Sequence, residues 1–204
     1  MRNKSNTLIT VGLSVLIALV VVLQLVSAII PPIGGVSITL TLVPVVVGAI
    51  LFGIKGGTVL GFFFGLIVLV NCITGLDFGG SILWNTNPFF TAVICFVKGI
   101  FAGLVPAYIY SLFVGKKNQP SSKRKYTCTL LAAIFAPIVN TALFVCGMIL
   151  LFEETLYSWA GGSNIVSYII FVLAGLNFIV EFFINIILAP IILRIVDIAK
   201  RKVK

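Results

Sequence analysis

Long apolar segments dominate this sequence, and the charged residues between them alternate in sign from one gap to the next. Basic residues lie before the first apolar segment and in every second gap after it, at Arg2, Lys4, Lys55, 116–125 and 200–204. Acidic residues lie in the gaps between, at Asp77, Glu153 and Glu154. Because basic flanks of membrane spans face the cytoplasm, this alternation predicts a multi-pass membrane protein with both termini cytoplasmic.

The composition excludes an ordinary soluble domain. Hydrophobic residues make up 60% of the 204 residues and charged residues 9%, whereas about 25% of a soluble globular domain is charged. The net charge of +9 lies mostly in short segments beside apolar runs, where topology and anionic lipid headgroups account for it. We therefore expect a single transmembrane domain over 1–204 in a lipid bilayer, with no nucleic-acid partner.

The apolar runs predict an all-α bundle of six transmembrane helices, each near the roughly 20 residues that cross a bilayer. Their expected ranges are 8–30, 37–53, 55–74, 88–114, 127–152 and 165–195. The first run is longer than the roughly 7–15 apolar residues of a secretory signal, so we expect it to be retained as a span. The second and third are separated by a short turn at Lys55–Gly57, which predicts a tight hairpin.

Small residues indicate where helices approach each other closely. Glycines recur every four residues in the second and third predicted helices, at Gly53, Gly57, Gly61 and Gly65. Such a ridge lets another backbone come near, and we expect it to pack inside the bundle. Ser14 and Ala18 form a weaker version in the first helix. On this interpretation the segment from Leu8 to Val26 offers no polar group for a cavity. Ser14 and Ala18 therefore serve either packing inside the bundle or docking on a partner helix, and the sequence favours neither.

Two ionisable residues, Lys98 and Glu181, lie inside apolar runs, where a charge costs several kcal/mol unless it has a partner, a cavity or a substrate. At about 1.5 Å per residue, Lys98 lies about 14 Å below the outer end of its helix. Asn140 and Asn177 lie about 18 Å below the outer ends of theirs. Three polar side chains on three helices therefore reach a similar depth, which predicts a pocket for a small polar anion.

The expected mouth of this pocket combines amides with aromatic rings, at Asn71, Trp84, Asn85, Asn87 and Trp159. Lys98 would supply the charge and the amides would donate and accept hydrogen bonds. The alternative is an internal ion pair between Lys98 and Glu181 that only joins two helices. Glu181 and Asn185 lie nearer the cytoplasmic end, and we expect them to be a structural polar pair.

The sequence contains few residues of the types that catalyse reactions in enzymes. There is no histidine, and the acidic residues outside the loops are Glu181 and Asp197, so histidine-dependent metal sites are excluded and paired-carboxylate catalysis is unsupported. A Walker motif is also missing. The four cysteines lack metal-ligand or redox-pair spacing, which indicates simple packing, at Cys72, Cys95, Cys128 and Cys146. We expect no catalytic residue, no metal and no cofactor.

Four segments resemble the substrate-binding S component of energy-coupling factor (ECF) vitamin transporters: ITLTLVPVVVGAILFGIKGGTVLGFFFGLI, NPFFTAVICFVKGIFAGLVPAYIYSL, APIVNTALFVCGMILLF and GLNFIVEFFINIILAPII. The resemblance covers nearly the whole chain. It implies a subunit of a bacterial plasma-membrane importer that binds a vitamin near the outer face and topples within the membrane to deliver it. A shared transmembrane coupling subunit and two ATPase subunits would be its partners.

The same resemblance assigns roles to the first helix and to the external loops. Members of the family carry small residues four apart on the first helix for docking to the transmembrane partner, and the matching positions here are Ser14, Ala18 and Val22. The external loops act as lids in the family. In this chain they correspond to Pro31 to Thr39, Asp77 to Asn87 and Glu153 to Asn164.

One lysine with several asparagines suits a compact carboxylate that also carries hydroxyl and amide groups, and the pantothenate-specific branch looks closest. Folate, a pyrimidine precursor of thiamine, and cobalamin are the alternative substrates within the family. A stand-alone channel or secondary carrier is the rival class, in which Lys98 and Glu181 would mark an ion pathway. An intramembrane enzyme comes third.

Overall fold

The structure is a computed structural model that describes residues 2–29, 40–114 and 121–203, with side chains for 7–28, 40–114, 121–175 and 178–198. The described part of the chain is all-helical apart from short connections. Its elements are α1 (Arg2–Ile29), α2 (Leu42–Thr74), α3 (Phe78–Thr86), α4 (Pro88–Val114), α5 (Ser122–Leu151), α6 (Glu153–Ala160), α7 (Ile165–Tyr168), a π-helical turn (Ile169–Leu173) and α8 (Gly175–Val203).

Five segments within the described residues are long and apolar enough to cross a membrane. They are Thr7–Ala28, Leu42–Thr74, Pro88–Val114, Ser122–Leu151 and Ile165–Ile198. The all-helical, multi-pass class predicted from the sequence is therefore confirmed. The number differs from the six predicted spans because residues 42–74 form one element, in which the second and third predicted helices are joined.

The chain nevertheless reverses direction inside α2. Gly53 has φ 67° and ψ −159°, a backbone conformation that lies outside the helix and favours glycine. A Cβ added at Gly57 would lie 3.2 Å from the Cβ of Ala49, although residues eight apart in a straight helix are about 12 Å apart. The arm 42–52 therefore packs against the arm 54–74, and the predicted hairpin turns at Gly53 rather than at Lys55–Gly57.

The glycine ridge on the second arm of α2 packs against the backbone of α4. Cβ atoms added at Gly57 or Gly61 would collide with the backbone carbonyls of Gly103 and Gly99 on α4. The pairing runs in opposite directions along the two helices, so α2 and α4 are antiparallel. The prediction that the ridge packs internally is confirmed, except that Gly53 has no atom within 4 Å of an added Cβ and serves the turn instead.

Two short helices, α3 and α6, lie in the connections that the sequence marked as lids. Asp77 caps α3, since its Oδ1 accepts a hydrogen bond of 3.1 Å from the backbone N–H of Gly80. Glu153 and Glu154 lie in the first turn of α6, where negative charge is stabilised by the helix dipole. The remaining predicted lid, Pro31 to Thr39, lies outside the described residues.

The last span is interrupted near the level of these lids. The backbone N–H of Ala174 donates to the carbonyl of Ile169 at 2.9 Å, the wider bonding of a π-helix. A Cβ on Gly175 would lie 2.6 Å from the carbonyl oxygen of Ile170, so glycine lets the turn close. The single helix predicted for 165–195 is thus two helices joined by a π-turn, and this turn places Leu173 against the cavity described next.

Candidate functional site

A cavity lies beneath α3 and α6, where the ends of several helices meet. Its polar lining comes from three helices and the connection before α3, through the side chains of Gln24, Asp77, Thr91, Lys98, Asn140 and Thr141. Phe144, Trp159 and Leu173 supply part of the apolar wall. The cavity volume is about 50 Å³, enough for a few water molecules at roughly 10–15 Å³ each. The cavity is therefore smaller than the roughly 300–1,000 Å³ of a typical small-molecule pocket.

Lys98 provides the positive charge of the cavity. Its Nζ lies 5.0 Å from the centroid of the Phe144 ring, a cation–π contact that holds the ammonium without neutralising it. The ion pair found among the described residues joins Lys125 to Asp197 at 3.3 Å, at the other end of α5. Among the described residues no ion pair of Lys98 is found, and Asp77 is the carboxylate that lines the same cavity.

Asn140 lies in the same cavity, as its depth along α5 predicted. Its side chain is 5% exposed, and its Oδ1 has no hydrogen-bond partner among the described residues. A buried amide oxygen without a partner costs about 1–3 kcal/mol, so a hydroxyl or N–H group of a ligand would stabilise it. The structure thus brings together Lys98 and Asn140, while Asn177 belongs to α8 and its side chain lies outside those described.

Four residues expected at the mouth do not line the cavity: Asn71, Trp84, Asn85 and Asn87. The backbone carbonyl of Asn71 accepts a hydrogen bond of 3.1 Å from the N–H of Asp77, which fixes the start of the α3 lid. Trp84 packs against the apolar cluster between α1, α2 and α4. Asn87 caps α4, with its Oδ1 accepting from the N–H of Phe90 at 3.1 Å. Trp159, from the other lid, is part of the wall.

Glu181 and Asn185 are buried in α8 and are not part of the cavity wall. Glu181 is 0% exposed and Asn185 is 1% exposed. The side-chain N–H of Asn185 donates to the backbone carbonyl of Glu181 at 2.8 Å. This bond is local to one turn of α8, and the structural role expected for the two residues stays a prediction.

Several wall residues were missed from the sequence. The statement that the first helix offers no polar group for a cavity is wrong, because Gln24 lines the wall and is 4% exposed. Asp77 was assigned only to a lid. Cys72 and Cys95 line the cavity and belong to one buried cluster, although they are far apart in sequence and carry no recognisable spacing.

The predicted docking positions form an exposed row on α1. Ser14, Ala18 and Val22 are all exposed, and 11% of the α1 span is buried compared with 56% of the α2 span. Among the side chains described for α1, those of Val20, Gln24 and Ser27 are buried. One face of this helix therefore meets the bundle while the other is open to lipid or to a partner.

These features define a class: a multi-pass helical membrane protein that holds a small, charged cavity under short lid helices. The family model of the ECF transporter substrate-specific component matches residues 7–195. The chain belongs to this family, and it is the substrate-specific subunit of an ECF transporter, a transport subunit that works with the other ECF transporter components on a small-molecule substrate. A search of the curated proteins found no match.

Proposed function

We propose that this subunit binds pantothenate in the cavity lined by Lys98 and Asn140, near the outer face of a bacterial plasma membrane. The observation that carries the proposal is an ammonium group in the cavity wall without a carboxylate partner among the described residues. Lys98 pairs with the ligand carboxylate, and the Oδ1 of Asn140 accepts from a hydroxyl or amide N–H group. Phe144 and Trp159 cover the apolar part of the ligand.

Asp77 narrows the choice among vitamins. A carboxylate in the wall accepts hydrogen bonds from ligand hydroxyl groups but repels a second ligand carboxylate. This combination supports a monocarboxylate with hydroxyl groups over folate, which carries two carboxylates. Asp77 also favours an amine, so a pyrimidine precursor of thiamine is the second candidate, with Asp77 rather than Lys98 as its main contact.

The proposed delivery step uses the exposed row of α1. Ser14, Ala18 and Val22 offer the close approach that a second transmembrane helix needs, and the row lies on the side of α1 away from the bundle. We propose that the transmembrane coupling subunit docks there. Two ATPase subunits then supply the energy, and the loaded subunit topples to release its ligand.

The proposed topology has six membrane crossings and cytoplasmic termini. The arm 42–52 spans about 16 Å at 1.5 Å per residue, so it would need the preceding segment to complete a crossing. Because 116–125 is strongly basic, a cysteine at Ser121 in a cysteine-free background should be protected from impermeant reagents in intact cells. A cysteine at Ser158 on α6 should be labelled, and labelling at both sites or the reverse order would overturn the topology.

Isothermal titration tests the binding proposal. Wild-type protein should bind pantothenate, and Lys98→Met should weaken binding by roughly 1.5–3 kcal/mol, the range for a charged hydrogen bond. Lys55→Met is the matched control, because Lys55 is exposed and lies at the turn of α2, away from the cavity. Tighter binding of the thiamine precursor, with loss in Asp77→Asn rather than in Lys98→Met, would favour the second candidate.

A further inference from the structure

We infer that Gln24 is a ligand-binding residue, through which the bound substrate ties α1 to the rest of the bundle. The inference rests on the proposed function and concerns the same cavity. Gln24 is unusual because it comes from the helix with the least buried surface among the five spans. Its own side chain is nevertheless 4% exposed and lies in the cavity wall.

The Gln24 amide is held by Thr41, the residue just before α2. Its Oε1 accepts a hydrogen bond of 3.1 Å from the hydroxyl of Thr41, a contact that is fully buried. With the oxygen engaged, the amide nitrogen presents its two N–H donors, which have no partner among the described residues. A buried donor in a cavity wall is stabilised by an acceptor on the ligand. Gln24 therefore suits a carbonyl, hydroxyl or carboxylate oxygen.

This donor set complements the other helices of the cavity. Lys98 on α4 donates from a cation, whereas Asn140 on α5 offers an oxygen without a partner among the described residues. Gln24 adds neutral donors from α1. A ligand that carries several oxygen acceptors with at least one N–H or hydroxyl group satisfies all three side chains at once, and it bridges three different helices.

The bridge matters because, at the cavity end of α1, two hydrogen bonds join this helix to the residues that precede α2. Apart from the bond between Gln24 and Thr41, the N–H of Leu40 donates to Ser27 Oγ at 3.1 Å, again at the cavity end. Both bonds join α1 to residues at or just before the start of α2. A ligand held by Gln24, Lys98 and Asn140 links α1 to α4 and α5, and so fixes the helix that carries the exposed row Ser14, Ala18 and Val22.

Four variants separate ligand binding from helix attachment. Gln24→Met keeps the size of the side chain but removes its donors, and pantothenate binding should weaken about tenfold, as for one lost buried hydrogen bond. Thr41→Val removes the hydrogen bond between Thr41 and Gln24 but keeps the Gln24 donors, so binding should weaken by no more than about threefold.

Ser27→Ala breaks the comparable bond outside the cavity and should bind pantothenate as wild type does. Gln24→Glu keeps the acceptor for Thr41, and it should bind at least tenfold more weakly because it places a negative charge beside the ligand carboxylate.

Hydrogen exchange supplies a second readout. Pantothenate should slow amide exchange near residues 20–28 in wild type and in Ser27→Ala, but not in Gln24→Met or, if that variant fails to fold, in Gln24→Glu. The inference would be overturned if Gln24→Met and Thr41→Val lost equal affinity, or if pantothenate did not change the rate of amide exchange in α1. Either result would leave the proposed function standing.

Failure of the proposed function looks different from failure of this inference. If wild type binds no pantothenate, the choice of substrate is wrong. Wild type is then titrated with thiamine, its pyrimidine precursor, folate and cobalamin, and the same variants are tested with the molecule that it binds. If wild type bound none of these molecules, the proposed function would be overturned. The proposed role of Gln24 in ligand binding would then be overturned as well.

Discussion

Helices α4 and α1 both pack against α2, but the two contacts are built in opposite ways. Between α2 and α4, backbones meet at glycines, and any added Cβ at Gly61 collides with a carbonyl oxygen. Between α1 and α2, the contact is made by side chains, and two hydrogen bonds at one end supplement it. Of the α4 span 44% is buried, against 11% of the α1 span. We call the backbone contact between α2 and α4 the seam. From this contrast we expect the seam to form a rigid frame for the cavity, and α1 to move away from the bundle at a lower cost in free energy.

The largest expected effect comes from breaking the seam. Gly61→Leu forces the α2 and α4 backbones apart, and should lower the free energy of unfolding by more than about 3 kcal/mol or prevent folding altogether. Ala18→Leu adds bulk to the exposed row of α1 and should leave stability unchanged. Thermal unfolding in detergent measures both, and comparable losses in the two variants would remove the distinction between frame and attached helix.

The next effect concerns transport rather than stability. Ala18→Trp should reduce pantothenate uptake at least tenfold in cells that contain the partner subunits, because the bulky ring prevents close approach of a partner helix. Binding by the purified variant should be unchanged. Leu112→Trp, at an exposed site on α4, is the matched control. Normal uptake with Ala18→Trp would show that docking does not use this row.

A smaller effect is expected from the thiols at the cavity end of the seam. Cys72 on α2 and Cys95 on α4 both line the cavity, so alkylation with a maleimide should weaken pantothenate binding several-fold by occupying the space. Prior addition of pantothenate should slow the reaction. The Cys72→Ser, Cys95→Ser double variant should become insensitive. Insensitivity that instead follows replacement of the exposed Cys146 would place the reactive thiol outside the cavity.

The smallest effect is expected where α5 meets α8. Lys125 and Asp197 form a partly exposed ion pair of 3.3 Å, and such pairs contribute at most about 1 kcal/mol. Lys125→Met should therefore lower the free energy of unfolding by less than 1 kcal/mol, and by still less at high salt. A loss as large as that of Gly61→Leu would show that this end belongs to the rigid frame as well.

The positions of spans and the depth of polar residues were predictable from the sequence. Apolar runs long enough for a bilayer located the helices, and the fixed rise per residue placed Lys98 and Asn140 at one level. The four-residue glycine spacing also predicted an internal contact, because an α-helix places such residues on one face. These properties depend on distance along a helix, which the order of residues determines.

The direction in which each side chain points was decided by tertiary structure alone. Helices that are apolar on all sides carry no polar stripe to show which face meets the bundle. Gln24 was therefore overlooked, and Asn71 was expected at the mouth of a cavity that it does not line. The reversal at Gly53 depends on a positive φ that glycine permits but does not require. Cys72 and Cys95 meet only because α2 and α4 pack antiparallel. Depth was therefore set by the sequence, whereas rotation and partnership were set by packing.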